Sequence, residues 1–291
     1  MATESLTLKR VETRRPPVAN RLLSMLPLLA LIVFLIVMLF PLLMVLVNSL
    51  KTETEYYANG PFALPNSINL DTIISTWNRT DYTTKLINSI YISLSVAVLA
   101  TVLSLLNAFA LGIGRVRGKT WLLLFFLLAI TLPNESLAYP LYYFFKLIHL
   151  YDTQISVILV SAAFNSAYGT YLLTLVFSSF NRELLEAAFI DGCNKRQLLY
   201  RIVVPLSWPS LSVLFVFFFI WTWNDFFLPL ILLISNARQT VPVAIALAQG
   251  EHNAVVTTQS AAALLGILPC LIFFFLFQRT LARGITAGSL K

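Results

Sequence analysis

Six long apolar runs constrain the fold of this chain more than any other feature of its sequence. A transmembrane helix needs about 20 consecutive, mostly apolar residues. The runs that meet this requirement are Met25–Val47, Leu86–Ile113, Thr120–Phe145, Ile155–Ser178, Pro209–Ile234 and Ser260–Leu281. Only 11% of the residues are charged, whereas an ordinary soluble domain has about 25%. The sequence therefore predicts an all-α polytopic membrane protein with six transmembrane helices.

The first run could be mistaken for the apolar part of a secretory signal peptide. It is too long for that role, because such apolar cores have about 7–15 residues. The residues that follow, Asn48 to Lys51, also do not form a small-residue cleavage site. We therefore interpret the run as a span.

The distribution of Lys and Arg predicts how the spans are oriented. If the N-terminus is inside, fifteen of the twenty basic residues fall in inside segments. The remaining five are Lys51, Arg79, Lys85, Lys146 and Arg238. Because basic residues accumulate in cytoplasmic loops, both termini are predicted to be cytoplasmic. The net charge of +7 then reflects contact with anionic membrane lipid, and no nucleic-acid partner is needed to explain it.

The membrane domain is predicted to cover residues 21–283, between two tails. Residues 1–20 are polar and basic, and we expect them to form a flexible cytoplasmic tail. Residues 284–291 form a second cytoplasmic tail in this division of the chain. A proline within a helix removes a backbone donor and favours a kink. Kinks are therefore predicted within the spans at Pro133, Pro140, Pro229 and Pro269.

A compact polar segment, residues 179–209, separates the fourth and fifth predicted spans on the predicted cytoplasmic side. Asn181 is a suitable N-cap for a short helix, and Glu183 suits the positive end of the helix dipole. Gly192 can adopt the left-handed conformation that often ends a helix. The segment therefore predicts a short helix that lies outside the membrane between two spans.

The middle of this predicted helix has the character of a docking surface. Ala187 and Ala188 lack bulk, so another protein could approach the backbone closely. Glu186 and Asp191 offer carboxylates to an arginine of a partner, which can bind them in a bidentate manner. From physical arguments alone, an ordinary loop helix with a solvated charged face is an equally good interpretation.

The segment resembles the signature of the membrane subunits of binding-protein-dependent ABC importers. That signature reads E-A-A, three residues, Gly, nine residues, Ile-x-Leu-Pro, and here Val204 replaces the Leu. In that family the helix docks in a groove of the nucleotide-binding subunit. The resemblance implies that the ATPase is contacted by Glu186, Ala187, Ala188, Asp191 and Gly192.

The chain has no G-x-x-x-x-G-K-[ST] phosphate-binding loop, which is the usual motif for ATP phosphates. We therefore expect no catalytic residue and no cofactor on this chain, with ATP and Mg²⁺ held by partner subunits. Cys193 and Cys270 have no spacing that indicates a disulfide or a metal site.

Further residues resemble the carbohydrate importer permeases, in particular the maltose-type inner-membrane subunit. The similar pieces are Asn88-Ser89, Pro140-Leu141-Tyr142, Leu150-Tyr151-Asp152-Thr153, Trp223-Asn224-Asp225-Phe226 and the tail from Arg283 to Lys291. The resemblance implies a bacterial inner-membrane protein with an ABC importer permease fold. It also implies a second permease subunit, two ATP-binding cassette subunits and an extracytoplasmic sugar-binding protein as partners.

A short segment before the sixth predicted span resembles the loop that enters the binding protein in that family. It includes Gln249, Gly250 and Glu251, and the glycine would permit a tight tip. An ordinary surface turn is an equally good interpretation of the same residues.

Sugars are bound by aromatic ring faces and by planar polar side chains. We predict a substrate pathway at Asn134, Glu135, Tyr139, Tyr142, Trp223, Asn224 and Asp225, with Asn165, Tyr168, Tyr171 and Trp221 as further candidates. A carboxylate within a span costs about 2.5–3.5 kcal/mol, so Glu135 and Asp225 should face a cavity or a partner. The alternative for the aromatic residues is the interfacial belt of membrane proteins.

Three other functions compete with sugar import. An importer of the same architecture could carry glycerol phosphate or a polyamine, but phosphate would favour basic residues deep within the spans, and we find none. A channel or ion-coupled carrier usually has intramembrane charge chains or inverted repeats, and neither is visible. A membrane scaffold is the third alternative, and co-purification with an ATPase and a second permease would separate it from an importer.

Overall fold

The fold comes from a computed structural model that describes residues 18–114, 116–251 and 255–289, with side chains for 25–114, 116–247 and 255–279. The described residues form no strands. Their helices are α1 Val18–Ser49, α2 Glu53–Asn59, α3 Asp71–Arg79, α4 Tyr82–Gly112, α5 Lys119–Thr131, α6 Ala138–Leu147, α7 Gln154–Ser178, α8 Arg182–Ile190, α9 Lys195–Leu198, α10 Val204–Asn224, α11 Phe227–Leu232, α12 Val241–Glu251 and α13 Val256–Ser289.

Five helical segments are long and apolar enough to cross a bilayer, which confirms the polytopic helical fold. Their bounds are Met25–Ser49, Tyr82–Gly112, Gln154–Ser178, Lys195–Asn224 and Val256–Arg279. Four of these agree closely with the first, second, fourth and sixth predicted spans. The third and fifth predicted spans differ from the structure.

The third predicted span, Thr120–Phe145, is two helices rather than one. Helix α5 ends at Thr131, and the pair Lys119–Thr131 and Asn134–Leu147 is bent by 92°. Leu132 is extended, with ψ of 125°, because the ring of Pro133 disfavours the helical conformation of the preceding residue. The sequence thus located the kink correctly but not its size.

The fifth predicted span, Pro209–Ile234, was wrong at both ends. The continuous helical segment begins at Lys195 and runs through Pro205 and Pro209. A π-helical turn, Leu199–Val203, precedes Pro205. The segment ends at Asn224 because Asp225 is extended, and the short helix α11 follows.

Small residues hold the centre of the bundle together, where α4 packs against α7 and α10. On α4, Ala97, Ala100 and Ser104 are fully buried. A Cβ atom placed on Gly169 of α7 would lie 2.2 Å from Ser104 Oγ. Lipid is as apolar as the helices, so close packing of small residues is a main source of helix association in membranes.

Helix α1 lies along α13 and leaves most of its apolar side chains exposed from Met25 to Leu43. A helix satisfies its own backbone hydrogen bonds, so such a surface is stable in a hydrocarbon environment. The exposed surface of α1 is therefore lipid-compatible along most of its length.

Two of the five basic residues predicted outside are completely buried, Lys51 and Lys85. The Lys51 ammonium donates hydrogen bonds to Asn48 Oδ1 at 3.0 Å and to the carbonyl oxygen of Gly60 at 3.1 Å. Lys85 Nζ donates to Asn236 Oδ1 at 2.5 Å. These two charges fasten loops to helices, which gives each a structural reason to depart from the general distribution of basic residues.

Candidate functional site

Helix α8 is a short helix with a defined cap at each end, in the polar segment between α7 and α10. The Asn181 carboxamide oxygen accepts a hydrogen bond from the Glu183 N–H at 2.9 Å, which confirms the predicted N-cap. Gly192 has a φ of 84°, and its N–H donates to the Phe189 carbonyl at 3.1 Å. The predicted left-handed end is therefore confirmed as well.

The two alanines of the motif lie on different faces of α8. Ala188 is 5% exposed and belongs to the core, next to the partly buried Leu185 one turn earlier. Ala187 and Glu186 are exposed, as are Asp191 and Gly192. Ala188 shares a helix face with Leu185, three residues earlier, and this face packs against the core. The expectation that both alanines meet a partner is therefore corrected, since only Ala187 is accessible.

The exposed part of α8 also carries large apolar side chains. Leu184 and Phe189 are about half exposed, and Ile190 is 86% exposed. These exposed apolar side chains, beside charged residues, could add contact area for another protein. Sequence reasoning missed these three residues, although the apolar letters on both sides of Glu186 were the available signal.

A second candidate site is a polar cavity of about 310 Å³ between α7, α10 and the 3₁₀ turn Asn134–Leu137. Its lining residues are Asn134, Ser161, Phe164, Asn165, Trp221, Thr222, Asn224, Asp225 and Leu228. The cavity thus brings together three predicted pathway residues and the further candidates Asn165 and Trp221. Carboxamides and an indole are the side chains that bind the hydroxyls and the apolar face of a sugar ring.

The other four predicted pathway residues do not line this cavity. Trp223 is 3% exposed and stacks one face on Phe219, with 5.9 Å between ring centroids, so it is part of the packed core. Tyr139 is 73% exposed, and Glu135 is also exposed. The Tyr142 hydroxyl accepts a hydrogen bond from Lys146 Nζ at 3.1 Å.

Asp225 has a structural task in addition to lining the cavity. Its Oδ1 accepts hydrogen bonds from the N–H groups of Phe227 at 3.1 Å and Leu228 at 3.4 Å. These bonds cap α11 and explain why a carboxylate is tolerated here.

Ser161 was missed by sequence reasoning, since a serine in an apolar helix carries no signal. Its buried hydroxyl has no hydrogen-bond partner among the described residues.

A cluster around Asp152 joins the start of α7 to the loop after α11. Asp152 Oδ1 accepts hydrogen bonds from the N–H groups of Ile234 and Ser235, both at 3.0 Å. The Ser235 hydroxyl and the Arg238 guanidinium bind the same carboxylate. Burial alone would raise the pKa of Asp152, but these hydrogen bonds and the Arg238 charge hold it below its usual value.

Asn88 of α4 ties the same loop from the other side. Its Nδ2 donates to the carbonyl oxygens of Ala237 at 2.9 Å and Gln239 at 3.0 Å, and its Oδ1 accepts from Gln154 Nε2 at 2.7 Å. The loop is therefore held by α4 and α7 together. Sequence reasoning noted Asn88 and Asp152 only as points of resemblance.

Replacing Asp152 with Ala is expected to release this loop. The amides of Ile234 and Ser235 lose their acceptor, so their hydrogen exchange should accelerate by at least about tenfold, as for the loss of about 1.5 kcal/mol of protection. Asp71→Ala, at an exposed position on α3, is the control and should leave exchange in 232–239 unchanged. Unchanged exchange at Ile234 and Ser235 in Asp152→Ala would contradict the assigned role.

The same cluster predicts a pH dependence of loop protection. A lowered pKa means that the ionised carboxylate is favoured in the folded state, so the stabilisation is complete above the ordinary Asp pKa of about 4. It is lost as the pH falls through the lowered value. Exchange of the Ile234 and Ser235 amides, corrected for intrinsic rates, should rise in that window and not between pH 6 and 8.

Together these features define a class of protein: a polytopic helical membrane protein with a polar cavity between spans and a short capped helix, α8, between two of them. Within the described residues, no group of His, Cys, Asp and Glu side chains is arranged to hold a metal ion. The family description "binding-protein-dependent transport system inner membrane component" matches residues 104–287, and the chain belongs to this family. Its members are transport permeases and not enzymes. The family description names an inner membrane component, and the chain is a multi-pass protein of the bacterial inner membrane.

Curated relatives cover most of the chain. It is 31% identical to the sulfoquinovosyl glycerol transport system permease protein SmoH of Agrobacterium fabrum, over 87% of this chain and 89% of the relative. It is 32% identical to the trehalose transport system permease protein SugB of Mycobacterium tuberculosis, over 87% and 92%. The arabinooligosaccharides transport system permease protein AraQ of Halalkalibacterium halodurans is 29% identical, over 87% and 91%.

The fold also matches a solved structure. A chain in the crystal structure of a bacterial ABC transporter involved in the import of the acidic polysaccharide alginate superposes with a TM-score of 0.79. The match covers 92% of this chain and 99% of that chain at 19% identity. The resemblance to importer permeases that the motif indicated is therefore confirmed at the level of family and fold.

Proposed function

We propose that this chain is the permease subunit of an ATP-driven importer for a mono- or oligosaccharide and forms half of the translocation pathway. The observation that carries the sugar assignment is the cavity of three asparagines and one exposed indole between α7 and α10. Relatives named for sulfoquinovosyl glycerol, trehalose and arabinooligosaccharides support a carbohydrate substrate. Glycerol phosphate is disfavoured because no Lys or Arg is among the residues that line the cavity.

In this proposal α8 transmits the motion of an ATPase subunit. Glu186 and Asp191 are exposed acceptors, Ala187 and Gly192 allow close approach, and Leu184, Phe189 and Ile190 supply apolar contact area. Ala188 acts indirectly by packing α8 against the core. ATP and Mg²⁺ are held by two ATP-binding cassette subunits. A second permease completes the pathway, and the α8 end of the bundle and both termini face the cytoplasm.

The contact with an extracytoplasmic sugar-binding protein is placed near the end of α12. Gln249, Gly250 and Glu251 belong to the last described turn of α12, and the proposal is that they contact the binding protein. The structure does not describe the side chains of these three residues. It also does not describe residues 252–254 or the tail residues 1–17, 290 and 291.

The proposal is tested by co-purification and then by measuring sugar uptake. The full-length chain should bring down an ATPase and a second permease, and cells that produce the complex should accumulate a labelled sugar from a panel including trehalose and arabinooligosaccharides. Glycerol phosphate and a polyamine serve as competing substrates in the same assay. Uptake of either one in place of every sugar would overturn the carbohydrate assignment and leave the importer assignment intact.

Substitution of Asn165 tests the cavity with a matched control. Asn165 Nδ2 and Asn107 Nδ2 each donate to a threonine hydroxyl at 3.3 Å, on Thr222 and Thr170 respectively, but only Asn165 lines the cavity. Asn165→Ala should lower the uptake rate roughly tenfold, as for one lost hydrogen bond to substrate. Asn107→Ala should lower it less than about twofold. Equal effects of the two substitutions would contradict a substrate role for the cavity.

A further inference from the structure

A cleft of about 370 Å³ lies where α4 and α7 end, α5 begins and α8 passes beneath them. Its lining combines polar and apolar groups and comprises Gly112, Ile113, Gly114, Lys119, Phe177, Ser178, Phe180, Arg182, Leu185, Glu186 and Phe189. The cleft is distinct from the cavity between α7 and α10, since the two share no lining residue. It therefore needs its own explanation.

The charges of this cleft favour an anion. Lys119 is partly buried, and its ammonium donates one hydrogen bond to Ser178 Oγ at 3.1 Å, which leaves two N–H donors. Arg182 adds a guanidinium, and in the described part of the chain neither cation forms an ion pair. Glu186 is the one carboxylate among the lining residues. The cleft thus has an excess of one positive charge and unused donors.

The surroundings of the cleft favour a lipid over a soluble anion. Ile113, Phe177 and Phe180 form an apolar part of the lining. Two residues beyond Lys119, helix α5 begins an exposed apolar surface that includes Trp121, which is 77% exposed, and Phe125. A headgroup held at Lys119 would leave its acyl chains beside this surface, which itself requires lipid.

We propose that the cleft binds the phosphate headgroup of an anionic phospholipid, between Lys119 and Arg182, with the acyl chains along α5. Basic pockets between membrane helices are known to bind anionic headgroups in this manner. The lipid would fill the space behind α8, since Glu186 and Phe189 line the same cleft. The membrane itself would then support the position of α8, independently of which substrate the protein carries.

The test compares lipids retained by the purified full-length importer complex in native mass spectrometry. Phosphatidylglycerol and phosphatidylcholine of identical acyl chains are the probes, and the wild-type complex should retain phosphatidylglycerol selectively. The double substitution Lys119→Gln/Arg182→Gln should lower its retention about thirtyfold, as expected when two basic residues near the membrane surface are removed. The control Lys195→Gln/Arg196→Gln removes the same charge at exposed positions. Neither residue lines the cleft, so retention at this site should change less than about twofold.

Two further measurements separate a built site from general attraction. Ser178→Trp fills the cleft without changing its charge and should also abolish selective retention, while thermal unfolding reports whether the variant folds. Soluble glycerophosphoglycerol at millimolar concentration should not displace the lipid. Equal retention of both lipids, loss in the Lys195/Arg196 control, retention by a folded Ser178→Trp variant, or displacement by the soluble headgroup would each overturn the proposal.

Discussion

Replacing Glu186 with Lys is expected to reduce sugar uptake by more than about a hundredfold while the chain still inserts into the membrane. Glu186 is exposed on α8, next to the accessible Ala187 and three residues before the half-exposed Phe189. A lysine there would place like charge against a basic partner residue, and like-charge contacts across an interface cost several kcal/mol. Glu186 is exposed and is not part of the packed core, so the fold itself should be retained.

A charge reversal on the same helix provides the control. Glu183 is exposed in the first turn of α8, and Glu183→Lys makes the same change of charge one turn earlier. It should weaken the interaction with the helix dipole by about 0.3–1 kcal/mol, which the caps of α8 can tolerate. Uptake of labelled sugar and pull-down of the ATPase report the outcome. Normal uptake by Glu186→Lys, with the ATPase still bound, would rule out the coupling role of this residue.

Replacing Gly169 with Ala is expected to lower the stability of the bundle by about 1–3 kcal/mol, the usual cost of overpacking. The new Cβ would lie 2.2 Å from Ser104 Oγ and 2.8 Å from Phe218 Cζ, at the crossing of α4, α7 and α10. Because this crossing is the centre of the bundle, the helices would have to separate to relieve the contact. Denaturant-induced unfolding in detergent micelles measures the change.

A second substitution tests whether the clash is the cause. Ser104→Gly removes both Oγ and Cβ of the serine, which would otherwise be 2.2 and 2.8 Å from the new methyl group. The loss of stability in the double variant Ser104→Gly/Gly169→Ala should therefore be smaller than the sum of the losses in the two single variants. Gly266→Ala is the control, since its Cβ would meet the flexible end of Ile245 at 3.0 Å. Additive effects of the two substitutions would show that the crossing does not depend on this contact.

Local features of the chain were predictable because their causes are local. The length of an apolar run decides whether it can cross a bilayer, so four spans agree closely with the structure. Asn181 and Gly192 act on backbone groups within one turn of themselves, so both ends of α8 were also predicted correctly. Pro133 marked the break between α5 and α6 for the same reason.

Features that depend on neighbours from distant parts of the chain could not be predicted in this way. Trp223 is a type of side chain that often stacks on sugar rings, but here it packs against Phe219 and the surrounding core. Ala187 and Ala188 are identical letters, and only the packing of α8 decides which one is accessible. Asp152 binds a loop more than eighty residues away, and no periodicity or spacing encodes such a pair.

The sequence by itself determined that this chain is a helical membrane protein with a motif helix between two spans, because hydropathy and helix caps act within single segments. Only the tertiary structure decided that Asn165, Asn224 and Asp225 share a cavity, and that Lys119 and Arg182 share a cleft. Hydrophobicity does not distinguish one membrane helix from another, so steric fit and polar contacts set these arrangements.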